Sequence, residues 1–286
     1  MGGGNLGKVT NTEITVNGTA ADVFGGGNSA GVSGTTKVTV NEGAEAGNIY
    51  GGSNEKETTA KPQITIAGKV TGSVYGGGLG PNTTVTAPVV TLSGNGEVAG
   101  SLFGGGNAGI VTGGTTLNIT GGHAGLIFGG GDAREVTGGT TVSMTGGTAG
   151  SVYGGGNSAG VDGTVTINLG SGAKADNIYG GSNSQGTVVS PKITIEGKAG
   201  NVYASGQGSG TITKSPTVTL EKTAAVTNLY GGGMEGDTQD GTTLLLKNEN
   251  TPVQNVYGGG NQAGVTGIVA ITQEANARAI RIYGGK

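Results

Sequence analysis

The sequence predicts an all-β fold, a parallel β-helix (β-solenoid) of about eleven coils of about 26 residues, with two to three short strands per coil. Three observations predict it. All eleven aromatic residues occupy one repeated position. An apolar-x-apolar triplet recurs once in each interval. The 67 glycines among 286 residues fall mostly in register with both columns. Glycine and proline together make up about a quarter of the chain, a composition near the border with disorder. Fixed periodicity decides against disorder, and six prolines are too few for collagen.

The triplet strand opens each coil. Its apolar pairs run Ile14/Val16, Val38/Val40, Ile64/Ile66 and Val90/Leu92 through to Leu244/Leu246 and Val269/Ile271. Alternation with period two marks a strand with one buried face. The middle residue is usually polar, as at Thr15, Thr39, Thr65 and Thr219. Pro62, Pro88, Pro191 and Pro216 each stand two residues before the first apolar position, where a strand tolerates a missing N–H.

The aromatic strand follows. Its members are Phe24, Tyr50, Tyr75, Phe103, Phe128, Tyr153, Tyr179, Tyr203, Tyr230, Tyr257 and Tyr283, spaced 24 to 28 residues apart. Each follows Val, Ile or Leu, and each but Tyr203 precedes two glycines. The residue two places earlier is polar in ten of the eleven units, which predicts aliphatics facing in and aromatics at least partly out. A third column, eight residues after the aromatic position, is always Val or Thr: Val9, Val32, Thr58, Thr83, Val111, Val136, Val161, Thr187, Thr211, Thr238 and Val265. Both types are β-branched and suit a third short strand. No six-residue period is visible, so the right-handed form is expected. One continuous repeat domain over 1–286 is the domain reading.

Bulk properties exclude several functions. A net charge of -3 is too balanced for nucleic-acid or anionic-membrane binding. The absence of cysteine removes disulfides, thiolate metal sites and a cysteine nucleophile. No apolar stretch approaches the roughly 20 residues of a membrane span, and no cofactor is implied.

Candidate sites are few. Asn5, Asn28, Asn54, Asn107, Asn157, Asn183 and Asn261 stand four residues after the aromatic position, where stacked carboxamides can bond from coil to coil. A structural ladder is expected, with Asp132 and Gln207 in the same column and Leu79 and Met234 interrupting it. An outward aromatic column would offer Tyr50, Tyr75, Tyr153, Tyr179, Tyr203, Tyr230 and Tyr257 as a platform for sugars or a protein. Glu235, Asp237 and Asp240 share one loop and are the calcium candidates. No adjacent coil supplies matching acids, so a solvated loop and no metal are the reading.

Gly27 to Gly31 and Gly156 to Gly160 match a G-x-S-x-G nucleophile elbow, but no helical pattern follows and His123 is the one histidine. That match is expected to be chance, and His123 a turn residue. Flat threonine arrays can order water, but Glu13, Lys37, Gln63 and Lys192 interrupt this one, so ice binding is not expected.

The motif Val-Tyr-Gly-Gly-Gly-Asn, followed by Ala-Gly-Val, is fullest at 152–161 and 256–265. It resembles adhesin-type β-helix repeats of large bacterial cell-surface proteins. The resemblance implies an extracellular, surface-anchored parent that contacts host or neighbouring-cell ligands, including glycans. The expected function is a structural and adhesive module without enzymatic activity. A polysaccharide lyase or hydrolase, and a passive stalk, are the alternatives. Met1 takes the place of an aromatic residue before Gly2-Gly3-Gly4-Asn5, and Tyr283-Gly284-Gly285 stops within the motif. A segment of a longer protein is expected, without caps, whose end coils could associate end to end.

Overall fold

The computed structural model describes residues 1–56 and 60–284, and among them every regular element is a strand. Two sheets run the length of the molecule, and every strand pairing in both is parallel. One sheet is built on the apolar triplets and runs in eleven rungs, from Thr12–Val16 to Val269–Gln273. The other carries the aromatic positions and ends at Ala279–Tyr283. Eleven rungs enclose ten turns, a rod about 50 Å long at the usual strand spacing.

Register follows the sequence columns. Val38 lies opposite Ile64, Ile64 opposite Val90, and Val90 opposite Leu117. Their side chains enter one aliphatic core that extends from Val16 to Ala277 between the two sheets. No single coil could enclose that core, and stacking makes it continuous.

The position two before each triplet closes the corner between the sheets. Thr36 Oγ1 donates to Gly51 O at 2.6 Å, Thr115 Oγ1 to Gly129 O at 2.6 Å, and Thr140 Oγ1 to Gly154 O at 2.7 Å. Pro62, Pro88, Pro191 and Pro216 fill the same buried place in other coils. This packing explains why glycine follows the aromatic residue in every coil but one, where the small buried Ala204 follows Tyr203. A Cβ on Gly51 would lie 2.3 Å from Gly76 O and 2.6 Å from Pro62 Cβ.

The third column differs from the one expected. Val85, Val111, Val136, Val161, Val188, Thr213, Thr238 and Val265 align in register, so Thr83, Thr187 and Thr211 lie outside it. Thr83 and Thr211 instead close turns. Each donates from both its N–H and its Oγ1 to the carbonyl three residues earlier, Gly80 and Gly208. Those turns take up extra residues that a fixed offset from the aromatic position does not count. Thr58 lies outside the described residues.

Candidate functional site

The aromatic residues form one uninterrupted stack. Ten successive ring pairs, from Phe24–Tyr50 to Tyr257–Tyr283, have centroids 4.6 to 5.1 Å apart and planes within 12° of parallel. The expectation that the rings are at least partly exposed is corrected over most of the stack. Tyr50, Tyr75, Tyr153, Tyr179 and Tyr203 are 3 to 8 % exposed and belong to a second core, separate from the aliphatic one. Tyr230 and Tyr257 are half-buried, and Tyr283 is 45 % exposed.

The rings are buried by a cover on the outer side of the strand and not by the aliphatic core. In His123–Phe128 the core receives Ala124 and Ile127, three residues apart, rather than alternate residues. The neighbouring strand shifts register between Val98 and Ser101 at the same place. That step precedes the last three residues, which alternate: Ile127 enters the aliphatic core and Phe128 lies outside it, and Ser151 stands beside the Tyr153 phenol on the same face. The glycine-rich loop then folds over the rings, and Leu79 and Met234 pack on the stack.

Burial sets the chemistry of the phenols. Desolvation pushes the Tyr50 and Tyr153 hydroxyls up to about 12, aided at Tyr50 by the neighbouring Tyr75 and Asp22. Tyr179 rises further, again chiefly through burial, with Tyr153 and Tyr203 beside it. Such phenols stay neutral and act as hydrogen-bond groups of the interior.

The asparagine ladder forms in two runs. Asn28 donates Nδ2 to Asn5 Oδ1 at 2.9 Å, and Asn54 to Asn28 at 2.8 Å. Beyond Leu79, the Asp132 carboxylate accepts Asn107 on one oxygen at 3.1 Å and Asn157 on the other at 2.8 Å, and Asn183 donates to Asn157 at 2.7 Å. The Asn261 carboxamide makes no hydrogen bond with the described residues.

A second ladder was not anticipated. Asn201 donates to Asn177, Asn228 to Asn201 and Asn255 to Asn228, at 2.8 to 2.9 Å. Its signal was present in the polar column two before the aromatics. Both ladders satisfy their amides internally, which leaves them few free groups for a ligand.

The outward side of the triplet sheet is different. Thr116, Thr141 and Thr166 align in one column, and Asn118, Ser143 and Asn168 in the next. These side chains make no hydrogen bond with the described residues. Their spacing is about 4.8 Å between coils and about 6.6 Å along a strand. Of the interrupting residues, Glu13, Lys37 and Gln63 lie in the first three rungs, where Lys37 pairs with Glu13 at 2.7 Å. From the fourth rung to the tenth, the two columns carry one charge, Lys192. A hydrogen-bonding face with a single charge, Lys192, results.

The remaining candidates stay apart. Glu235, Asp237 and Asp240 are exposed, and no three acidic or histidine side chains converge as metal ligands among the described residues. Ser29 donates to Glu55 at 2.7 Å and Ser158 pairs with Ser184 at 3.0 Å, so neither elbow serine engages His123, whose Nδ1 meets Thr148 Oγ1 at 2.8 Å. No protein-family model, curated protein or solved structure matches the chain.

Proposed function

We propose that the chain is a structural and adhesive module of a bacterial surface or secreted protein, holding neutral glycans on the outer face of its triplet sheet without turning them over. One observation carries the reading: the unpaired hydroxyl and amide columns from Thr116 to Asn168 form an uncharged stretch of the sheet, while the asparagines from 157 to 183 and from 177 to 255 are tied into ladders. Individual hydrogen bonds to a hydroxyl are weak, so affinity comes from many matched contacts along a regular partner. The lack of charge favours a neutral polysaccharide over an acidic one. The adhesin-like repeat motif supports a place at the cell surface.

Co-sedimentation with insoluble neutral and acidic polysaccharides tests this, together with an assay for released sugar ends. Retention on neutral polymer, lost in Thr116→Lys/Thr141→Lys/Thr166→Lys at unchanged melting temperature, is the expected result. Release of sugar ends would instead make the protein an enzyme, and no retention on any polymer would leave a stalk.

A further inference from the structure

One outward column of the triplet sheet alternates in side-chain length. Thr91, Asn118, Ser143, Asn168 and Thr194 lie opposite one another in successive middle rungs, in the order short, long, short, long, short. Asn118 and Asn168 therefore stand two coils apart, about 10 Å at the usual strand spacing, with Ser143 recessed between them. In the ladders, by contrast, asparagines of adjacent coils join directly, as Asn183 does to Asn157 at 2.7 Å. A gap of two coils is too wide for that bond, which keeps the Asn118 and Asn168 carboxamides free. The column beside them does not alternate: Thr116, Thr141 and Thr166 repeat one hydroxyl per coil, about 6.6 Å away along the strand.

We infer that this face takes one extended β-1,4-linked neutral hexose polymer, running along the solenoid axis and across the strands. The inference rests on the proposed function above and names the polymer class for it. In such a chain each ring is turned over relative to the last. Each edge then presents a protruding hydroxymethyl group and a recessed pair of ring hydroxyls by turns. The repeat is two sugar residues, close in length to two coils, so one sugar lies over each rung.

The side chains match that edge. Asn118 and Asn168 are long enough to reach the recessed hydroxyls, and Ser143 leaves room for the hydroxymethyl group between them. Where one edge is recessed the other protrudes, and there the short Thr116 and Thr166 stand. A polymer laid along a strand would meet one such pair in all, as at Thr116 and Asn118, whereas one laid across the strands meets a pair in every coil. Charge agrees: from Val89 and Thr91 to Thr166 and Asn168 the two columns carry none, which suits a polymer without charge.

Retention of the whole chain on insoluble cellulose, starch and curdlan tests the inference, since the α-1,4-linked and β-1,3-linked polymers coil and lack the two-residue edge repeat. Wild type is expected to bind cellulose at least about tenfold more tightly than the other two. Asn118→Ser/Asn168→Ser makes the column uniformly short, and Ser143→Asn closes the recess. Each is expected to weaken cellulose binding at least about tenfold at unchanged melting temperature. Starch or curdlan held as tightly as cellulose would overturn the inference and leave glycan binding standing. So would folded variants that bind cellulose like wild type. Retention on none of the three would overturn it as well, and if no polysaccharide of the wider series is held, the reading beneath it falls too.

Discussion

The Tyr153 hydroxyl donates a hydrogen bond to Gln207 Oε1 at 2.5 Å, although 54 positions separate the two residues. The loop that follows one ring thus reaches back over a ring two coils earlier. Tyr179 and Met234, 55 positions apart, repeat the relationship, with the hydroxyl 3.8 Å from Sδ. Gln207→Ala is expected to leave a buried phenol unsatisfied and to cost about 1–3 kcal/mol in denaturant unfolding. Tyr153→Phe/Gln207→Met, which copies the apolar cover seen at Met234, should recover most of that loss. Equal stability of Gln207→Ala and wild type would show that the loop does not seal the stack.

Glycine has two distinct uses in this chain. A Cβ on Gly129 would lie 2.5 Å from Gly154 O and 2.9 Å from Thr140 Oγ1, whereas one on Gly125 meets nothing within 4 Å. Gly129→Ala should therefore lower the melting temperature without abolishing the fold, since Ala204 is accommodated at the equivalent place after Tyr203. Gly125→Ala should leave the melting temperature unchanged or raise it by restricting the unfolded chain. Thermal melts of both variants decide this.

Two buried hydroxyls have no partner. Thr213 and Thr238 are fully buried, their Oγ1 atoms are unsatisfied, and valine occupies their column on either side at Val188 and Val265. Thr213→Val and Thr238→Val should each raise unfolding free energy by about 1 kcal/mol. A loss of stability would mean that an interior group or water satisfies them.

The raised tyrosines couple stability to pH. An unfolded phenol titrates near 10, while Tyr50 and Tyr153 stay protonated up to about 12 in the folded chain. Above pH 10 the unfolded state binds fewer protons than the folded state, so stability falls with rising pH. It should be flat from pH 7 to 9 and decline through 10 to 12, in step with phenolate absorbance on unfolding. A decline that begins below pH 9 would assign the effect to other groups.

The coil, its period and the aliphatic register were legible because strand alternation and fixed spacing act along one rung at a time. Val38, Ile64 and Val90 needed no more than that. The burial of the rings was not legible, because the cover comes from two coils away, as Gln207 over Tyr153 and Met234 over Tyr179 show. A fixed offset also misplaced Thr83 and Thr211, whose turns absorb extra residues. The predicted ladder through Asn157 and Asn183 formed because local backbone and side-chain chemistry agree there. The free face at Thr116 and Asn118 emerged from the sheet pairing, which aligns residues about 26 positions apart.

Residue-resolved chemical modification of tyrosine, read by mass spectrometry on the folded protein, tests the central claim most directly. Tyr283 should react first and Tyr230 and Tyr257 more slowly, while Tyr50, Tyr75, Tyr153, Tyr179 and Tyr203 stay protected until the chain unfolds. Uniform labelling along the column in the folded state would contradict an interior stack and return the rings to the surface as the binding face.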